Sequence, residues 1–192
     1  MRSFAVVLIS LSAAGCSYLG TAENADPAEF KREDGWIVVR DVPVVLQEAE
    51  EDCGAATMAM ALAHWRVPAS LETVARDCPP KPGEGIKAGA LRDYARSRGF
   101  HSFLFHGTWT DFEKELSQGR PVVVGLVKPH VDGSLTHFEL VVGLHPEKKI
   151  VVTLDPARGW RRNDFAGFLA EWEPAGRLTL VMMKPDPPPA GH

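Results

Sequence analysis

Cys53 stands where a thiol can do chemistry. It follows the acidic run Glu50-Glu51-Asp52 and leads Gly54, Ala55 and Ala56 into a stretch rich in alanine and methionine. That stretch predicts a helix from Asp52 or Cys53 to about Trp65, apolar on every side and therefore buried. A sulfur in the first turn of a helix lies in the positive field of its N-terminus, which favours thiolate over thiol. Gly54 removes a side chain beside the sulfur, so a substrate backbone can come close and small side chains fit best there. Gln47, upstream, carries an amide NH2 that can point at a carbonyl oxygen turning anionic under attack. The backbone N–H of Cys53 would complete that oxyanion hole.

Such a thiolate needs a base, and the base needs a group to orient it. His137 opens the strand-like run His137-Phe138-Glu139-Leu140-Val141-Val142, and Asp155 closes Ile150-Val151-Val152-Thr153-Leu154-Asp155. If His145-Pro146-Glu147-Lys148 joins the two as a hairpin, the start of one strand lies opposite the end of the other, and His137 and Asp155 become neighbours. His130 and His145 lack this arrangement. No C-x2-C or H-x3-H spacing suggests a metal site, and the chemistry calls for no cofactor.

Gln47-x4-Asp52-Cys53-Gly54, His137-Phe138-x-x-Val141 and Asp155-Pro156-Ala157-x-Gly159, in this order, resemble the bacteriocin-processing, double-glycine leader peptidases, a papain-like cysteine peptidase family. The likeness runs from about Val42 to Met183. It implies Cys53 as nucleophile, His137 as base, Asp155 as orienter and Gln47 in the oxyanion hole, with a peptide or protein as substrate. Members of that family usually form the N-terminal domain of an exporter and cut after Gly-Gly. Here a stand-alone enzyme is expected, with a separate secretion system as a candidate partner.

The elements that must position these residues follow from pattern. Extended segments fit Ile37 to Val39 and Val42 to Leu46. Helices fit Ser70 to Asp77, with Ser70 as N-cap, and Ala88 to Arg98, stopped by Gly99. His101 to Phe105 reads as a strand, and Thr110 with Glu113 reads as a capping box for a helix ending at Gly119. Pro121 to Val127, Phe138 to Leu144, Lys149 to Leu154 and Arg177 to Lys184 read as strands. Asn163 to Trp172 repeats apolar residues at helical spacing, and Arg158 to Arg162 reads as a solvated loop. The expected fold is α+β and papain-like, a helical first half followed by an antiparallel sheet.

The first residues differ from the rest. Arg2, the apolar run Phe4 to Leu11 and the small residues before Cys16 have the layout of an export signal, and Ala14-Gly15-Cys16 resembles a lipobox. The expected organisation is a lipoprotein signal at 1–15, lipidation at Cys16, a flexible tether at 16–35, the peptidase domain at 36–184 and a disordered tail at 185–192. The protein is then exported and anchored by lipid to a bacterial membrane, the outer one facing the periplasm, since serine follows Cys16. Cys53 and Cys78 remain; a bridge could join them, but Cys78 reads as incidental or buried and the surroundings of Cys53 favour reactivity. The net charge of −4 excludes a basic face for nucleic acid. Two other readings compete: an acyltransferase or transglutaminase-like enzyme on the same triad, and a non-catalytic, membrane-tethered peptide-binding module.

Overall fold

A computed structural model describes residues 19–130 and 133–185. Helix α1, Cys53–His64, begins where the sequence predicts, directly after a 3-10 turn at Glu50–Asp52. Every residue from Cys53 to Leu62 is buried, as a helix without a polar face requires. Around it stand α2, Leu71–Asp77, and α3, Ala88–Ser97. Ser70 caps α2 by accepting from the backbone of Thr73. Gly99 ends α3 at a φ of 87°, a conformation that favours glycine.

Eight strands form one sheet among the described residues: β1 Glu23–Asn24, β2 Ile37–Val38, β3 His101–His106, β4 Val122–His130, β5 Gly133–His145, β6 Ile150–Asp155, β7 Gly159–Asp164 and β8 Leu178–Met183. Their order is β1-β7-β6-β5-β4-β8-β3, and every pairing is antiparallel. Strand β2 pairs with β5 at a bulge, where Gly143 is needed: a Cβ there would lie 3.0 Å from Val38 Cγ2 and 3.2 Å from the Ile37 carbonyl. Helices α4, Trp109–Ser117, and α5, Phe165–Trp172, pack on the sheet through Phe112, Phe168 and Trp172, with ring centroids 4.7 to 5.8 Å apart.

Several elements differ from expectation. Val42 to Leu46 forms no strand, and Val44 and Leu46 face solvent. The box at the start of α4 is Thr108 with Asp111, not Thr110 with Glu113, because Thr108 reaches the backbone of Asp111 and Asp111 reaches back to that of Thr108. Asp164 caps α5, and the six residues before α5 form strand β7 instead of a solvated loop.

The largest difference lies at the N-terminal side. Residues 19–35, expected as tether, touch the domain at several points, with Phe30 alone among them buried. Leu19 N–H donates to the Pro129 carbonyl at 2.7 Å, and β1 adds to the edge of β7. Arg161, buried, holds the Asn24 side chain and the Ala22 carbonyl. Phe30, only 1% exposed, packs 4.6 Å from the Trp36 ring. An apolar anchor of that size draws its flanking chain onto the domain. Cys16, the signal stretch and the segment 186–192 lie outside the described residues.

Candidate active site

Cys53 is the first residue of α1, with its sulfur at the end of the helix where backbone N–H groups lack intrahelical partners. One turn on, Thr57 Oγ1 donates to the Phe138 carbonyl at 3.1 Å and fastens α1 to β5 beside His137. Strands β5 and β6 form the expected hairpin, with Leu140 opposite Leu154 and Val141 opposite Thr153. Continuing that register sets Asp155 opposite Glu139. His137, two residues further along β5, has its side chain on the same side. The pair therefore meets diagonally: His137 Nε2 lies 2.9 Å from Asp155 Oδ1. Asp155 Oδ1 also accepts the Ala157 N–H at 2.8 Å, which locks the carboxylate.

Both partners are buried, at 0% and 1% exposure. Burial alone would push the His137 imidazole down. The hydrogen bond to Asp155, the hydrogen bond and charge of Cys53 and the charge of Asp155 outweigh it and hold the imidazole up at about 9. With Nε2 on Asp155, Nδ1 is the nitrogen left for the Cys53 thiol. Cys78 is also buried and unbridged, and burial raises its thiol. The two cysteines form no disulfide.

The sulfur faces a cleft of about 610 Å³. Ile86, Leu135, Phe138 and Leu178 make its walls apolar, and Glu50, Glu51 and Glu84 supply carboxylates. Glu51 and the loop at Lys81–Gly85 are joined by a bond from the Gly83 N–H.

A Cβ on Gly54 would meet Ile86 Cβ at 3.3 Å and Phe138 Cδ2 at 3.4 Å, so the missing side chain makes room for two walls of the cleft. Gln47 is close by through its backbone, whose N–H donates to the Pro156 carbonyl at 2.8 Å. Its side-chain NH2 donates to the carbonyl of Ala49 at 2.9 Å and that of Glu50 at 3.5 Å, so it supports the turn into Cys53. His145, a competing histidine, ends β5 beside the hairpin turn, its ring edge-on to Trp36.

His137, Glu139 and Asp155 bring their donor atoms within 4.8 Å of one another, a spacing compatible with a metal ion. However, Nε2 is engaged with Asp155, and Glu139 forms a 2.7 Å ion pair with Lys128, so a cation would have to displace both.

The family model described as "Peptidase_C39 like family" matches residues 39–180, about three quarters of the chain and all of the elements just described around Cys53, His137 and Asp155. The chain belongs to the peptidase C39-like family. It is thereby a cysteine peptidase by class, with the mixed α/β, papain-like fold of that family's solved domains. A double glycine motif protease from an AMS/PCAT transporter, solved with the leader peptide, is 25% identical to this C39-like chain and has a TM-score of 0.61, covering 77% of it and 97% of that structure. The peptidase domain of Streptococcus ComA, a bifunctional ABC transporter involved in quorum sensing, is 22% identical with a TM-score of 0.63, covering 76% of this chain and 100% of its own. A C39-like peptidase from Bacillus anthracis shares the fold at 16% identity and a TM-score of 0.63, covering 78% and 98%. The mesentericin-Y105 transport/processing ATP-binding protein MesD of Leuconostoc mesenteroides is 26% identical over 133 residues, 69% of this chain and 18% of that protein. The C39-like chain thus matches less than a fifth of that relative's length.

Thr57, Lys128, Glu139 and Glu171 escaped the sequence reading. Lys128 and Glu139 left a signal: each is a lone charge inside an apolar strand, where charges occur only when paired.

Proposed function

We propose that the chain is an endopeptidase acting on a peptide or protein, with Cys53 as nucleophile, His137 as base and Asp155 as the group that orients the base. The observation that carries this reading is the buried 2.9 Å contact of His137 with Asp155, beside a cysteine at a helix start that opens on the cleft. Cys53 Sγ attacks the scissile carbonyl carbon as thiolate, while His137 holds the proton. The developing oxyanion takes the Cys53 N–H and, after its side chain turns from the Ala49 carbonyl, the Gln47 amide. The C–N bond then breaks, and His137 passes the proton to the leaving amine. Water next attacks the thioester while His137 takes its proton. The acid leaves, Cys53 departs as thiolate, and His137 keeps the proton for the next cycle.

The double glycine motif protease among the related structures supports cleavage after small residues such as Gly-Gly. Export and lipid attachment at Cys16 complete this reading, with the membrane and a separate secretion system as its context. Incubating the protein with a peptide panel containing Gly-Gly sites, beside Cys53→Ala, tests it. Cleavage after small residues by the native protein alone is expected. Equal cleavage by the variant, or cuts only after bulky residues, contradicts it. Products carrying an added amine in place of a free acid would mark acyl transfer. The mass of the mature N-terminus tests the lipid.

A further inference from the structure

A chain of buried charges ends beside the His137–Asp155 pair. Lys128, on β4, is 1% exposed, and its Nζ lies 2.7 Å from Glu139 Oε1 and 2.5 Å from Glu171 Oε2. Glu139 and Glu171 are buried as well. At the far end, Glu171 Oε1 accepts both the N–H and the hydroxyl of Thr21, at 2.9 and 3.0 Å. At the near end, the Glu139 carboxylate lies within 4.8 Å of His137 and Asp155.

Burying such a trio costs several kcal/mol per ion before pairing, and apolar side chains of equal volume often do as well for stability. Its charges do not cancel: two carboxylates meet one ammonium. Burial would strip Lys128 of its proton, but the two carboxylates more than reverse that, so the cation persists beside Glu139. The Glu139 end of the trio is the one that lies beside the imidazole. The charged groups around His137 are then Cys53 from α1, Asp155 from β6 and Glu139 from its own strand. Lys128 from β4 and Glu171 from α5 stand behind Glu139.

We propose that Glu139, paired with Lys128, is a positioning residue for His137, and that Thr21 and Glu171 secure the other end of this chain. Two carboxylates then hold the protonated imidazole in the form that keeps Cys53 as thiolate. The inference rests on the Cys53–His137–Asp155 reading above, but its test needs no peptide substrate.

In the full chain, the His137 ring titration is followed by NMR, and the rate at which iodoacetamide alkylates Cys53 at pH 7 is followed by mass spectrometry, with Cys78 as internal reference. Glu139→Gln is expected to lower the His137 midpoint by roughly one pH unit and to slow Cys53 alkylation roughly fivefold. The triple variant Lys128→Met, Glu139→Leu, Glu171→Met fills the same space without charge, so it covers the case in which Glu139→Gln fails to fold. It is expected to show the same two shifts while melting no lower than the native protein. A purely structural role for the trio predicts an unchanged midpoint and alkylation rate in the triple variant, and that result overturns the proposal. Native Cys53 reacting no faster than Cys78 would instead remove the triad reading beneath it.

Discussion

The Thr57 hydroxyl donates to the Phe138 carbonyl across 3.1 Å, and this bond joins the helix that carries Cys53 to the strand that carries His137. Thr57 lies one helical turn beyond the sulfur, and Phe138 adjoins the imidazole. The bond therefore sets the spacing of the two reacting groups. Replacing Thr57 by Val leaves a buried carbonyl without its donor, at a cost of about 1–3 kcal/mol. Because misplacement of reacting groups is felt steeply, turnover is expected to fall by about tenfold or more. Urea denaturation and peptide turnover measured together check this. A variant that loses stability but keeps its rate would show that the bond is structural only.

The imidazole of His137, held up at about 9 from an ordinary 6.5, makes a signed prediction for pH. Its raised value means that the linked stability is complete below 6.5 and disappears as pH rises through about 9. Stability in urea should fall between about 6.5 and 9 and level off above, while turnover declines with a midpoint near 9. Stability that climbs between neutrality and that point would contradict the assignment.

Asp155→Asn retains a side-chain oxygen able to accept from Nε2 and from Ala157, but it removes a charge that raises His137. About tenfold loss of turnover and an alkaline limb moved to lower pH are expected. Asp155→Ala, with no acceptor, should lose on the order of a hundredfold or more. Equal losses in the two variants would mean that the acceptor at this position does not matter.

Gly54→Ala would push a methyl group to 3.3 Å from Ile86 and 3.4 Å from Phe138. Overpacking of this kind costs about 1–3 kcal/mol. Since both neighbours line the cleft, KM should rise more than kcat falls. Steady-state kinetics with one peptide separates the two, and a change confined to kcat would place the effect at the sulfur.

Phe30→Ala distinguishes a packed N-terminal segment from a tether. Loss of a fully buried phenylalanine costs about 3–5 kcal/mol, whereas a tether residue costs almost nothing. The shift in urea midpoint at constant slope measures it.

What was legible in the sequence followed from local signals. The start of α1, the Ser70 cap and the Gly99 stop each depend on a few adjacent residues, and all three appear. The His137–Asp155 contact was also readable, because one short hairpin determines it. Strand β7 was not, since Arg161 and Arg162 read as solvated until their partners are known. Those partners, Asn24, Ala22, Glu23 and Glu29, stand more than 130 residues away in the chain. At α4 two overlapping boxes, Thr108 with Asp111 and Thr110 with Glu113, compete for one helix start, and no local rule ranks them. The inward role of Gly54 depended on Ile86 and Phe138, which no spacing around Cys53 reveals.

If Cys16 carries the proposed lipid, the early docking of the N-terminal segment limits how far the enzyme can roam. The chain is fastened to Pro129 from Leu19 onward, so an acyl group on Cys16 would leave only three residues of leash. At full stretch these span about 10 Å, shorter than the width of one helix with its side chains. An enzyme so moored would not sweep a hemisphere in search of soluble peptides. It would hold one face against the lipid headgroups and meet its substrates as they emerge at the bilayer surface.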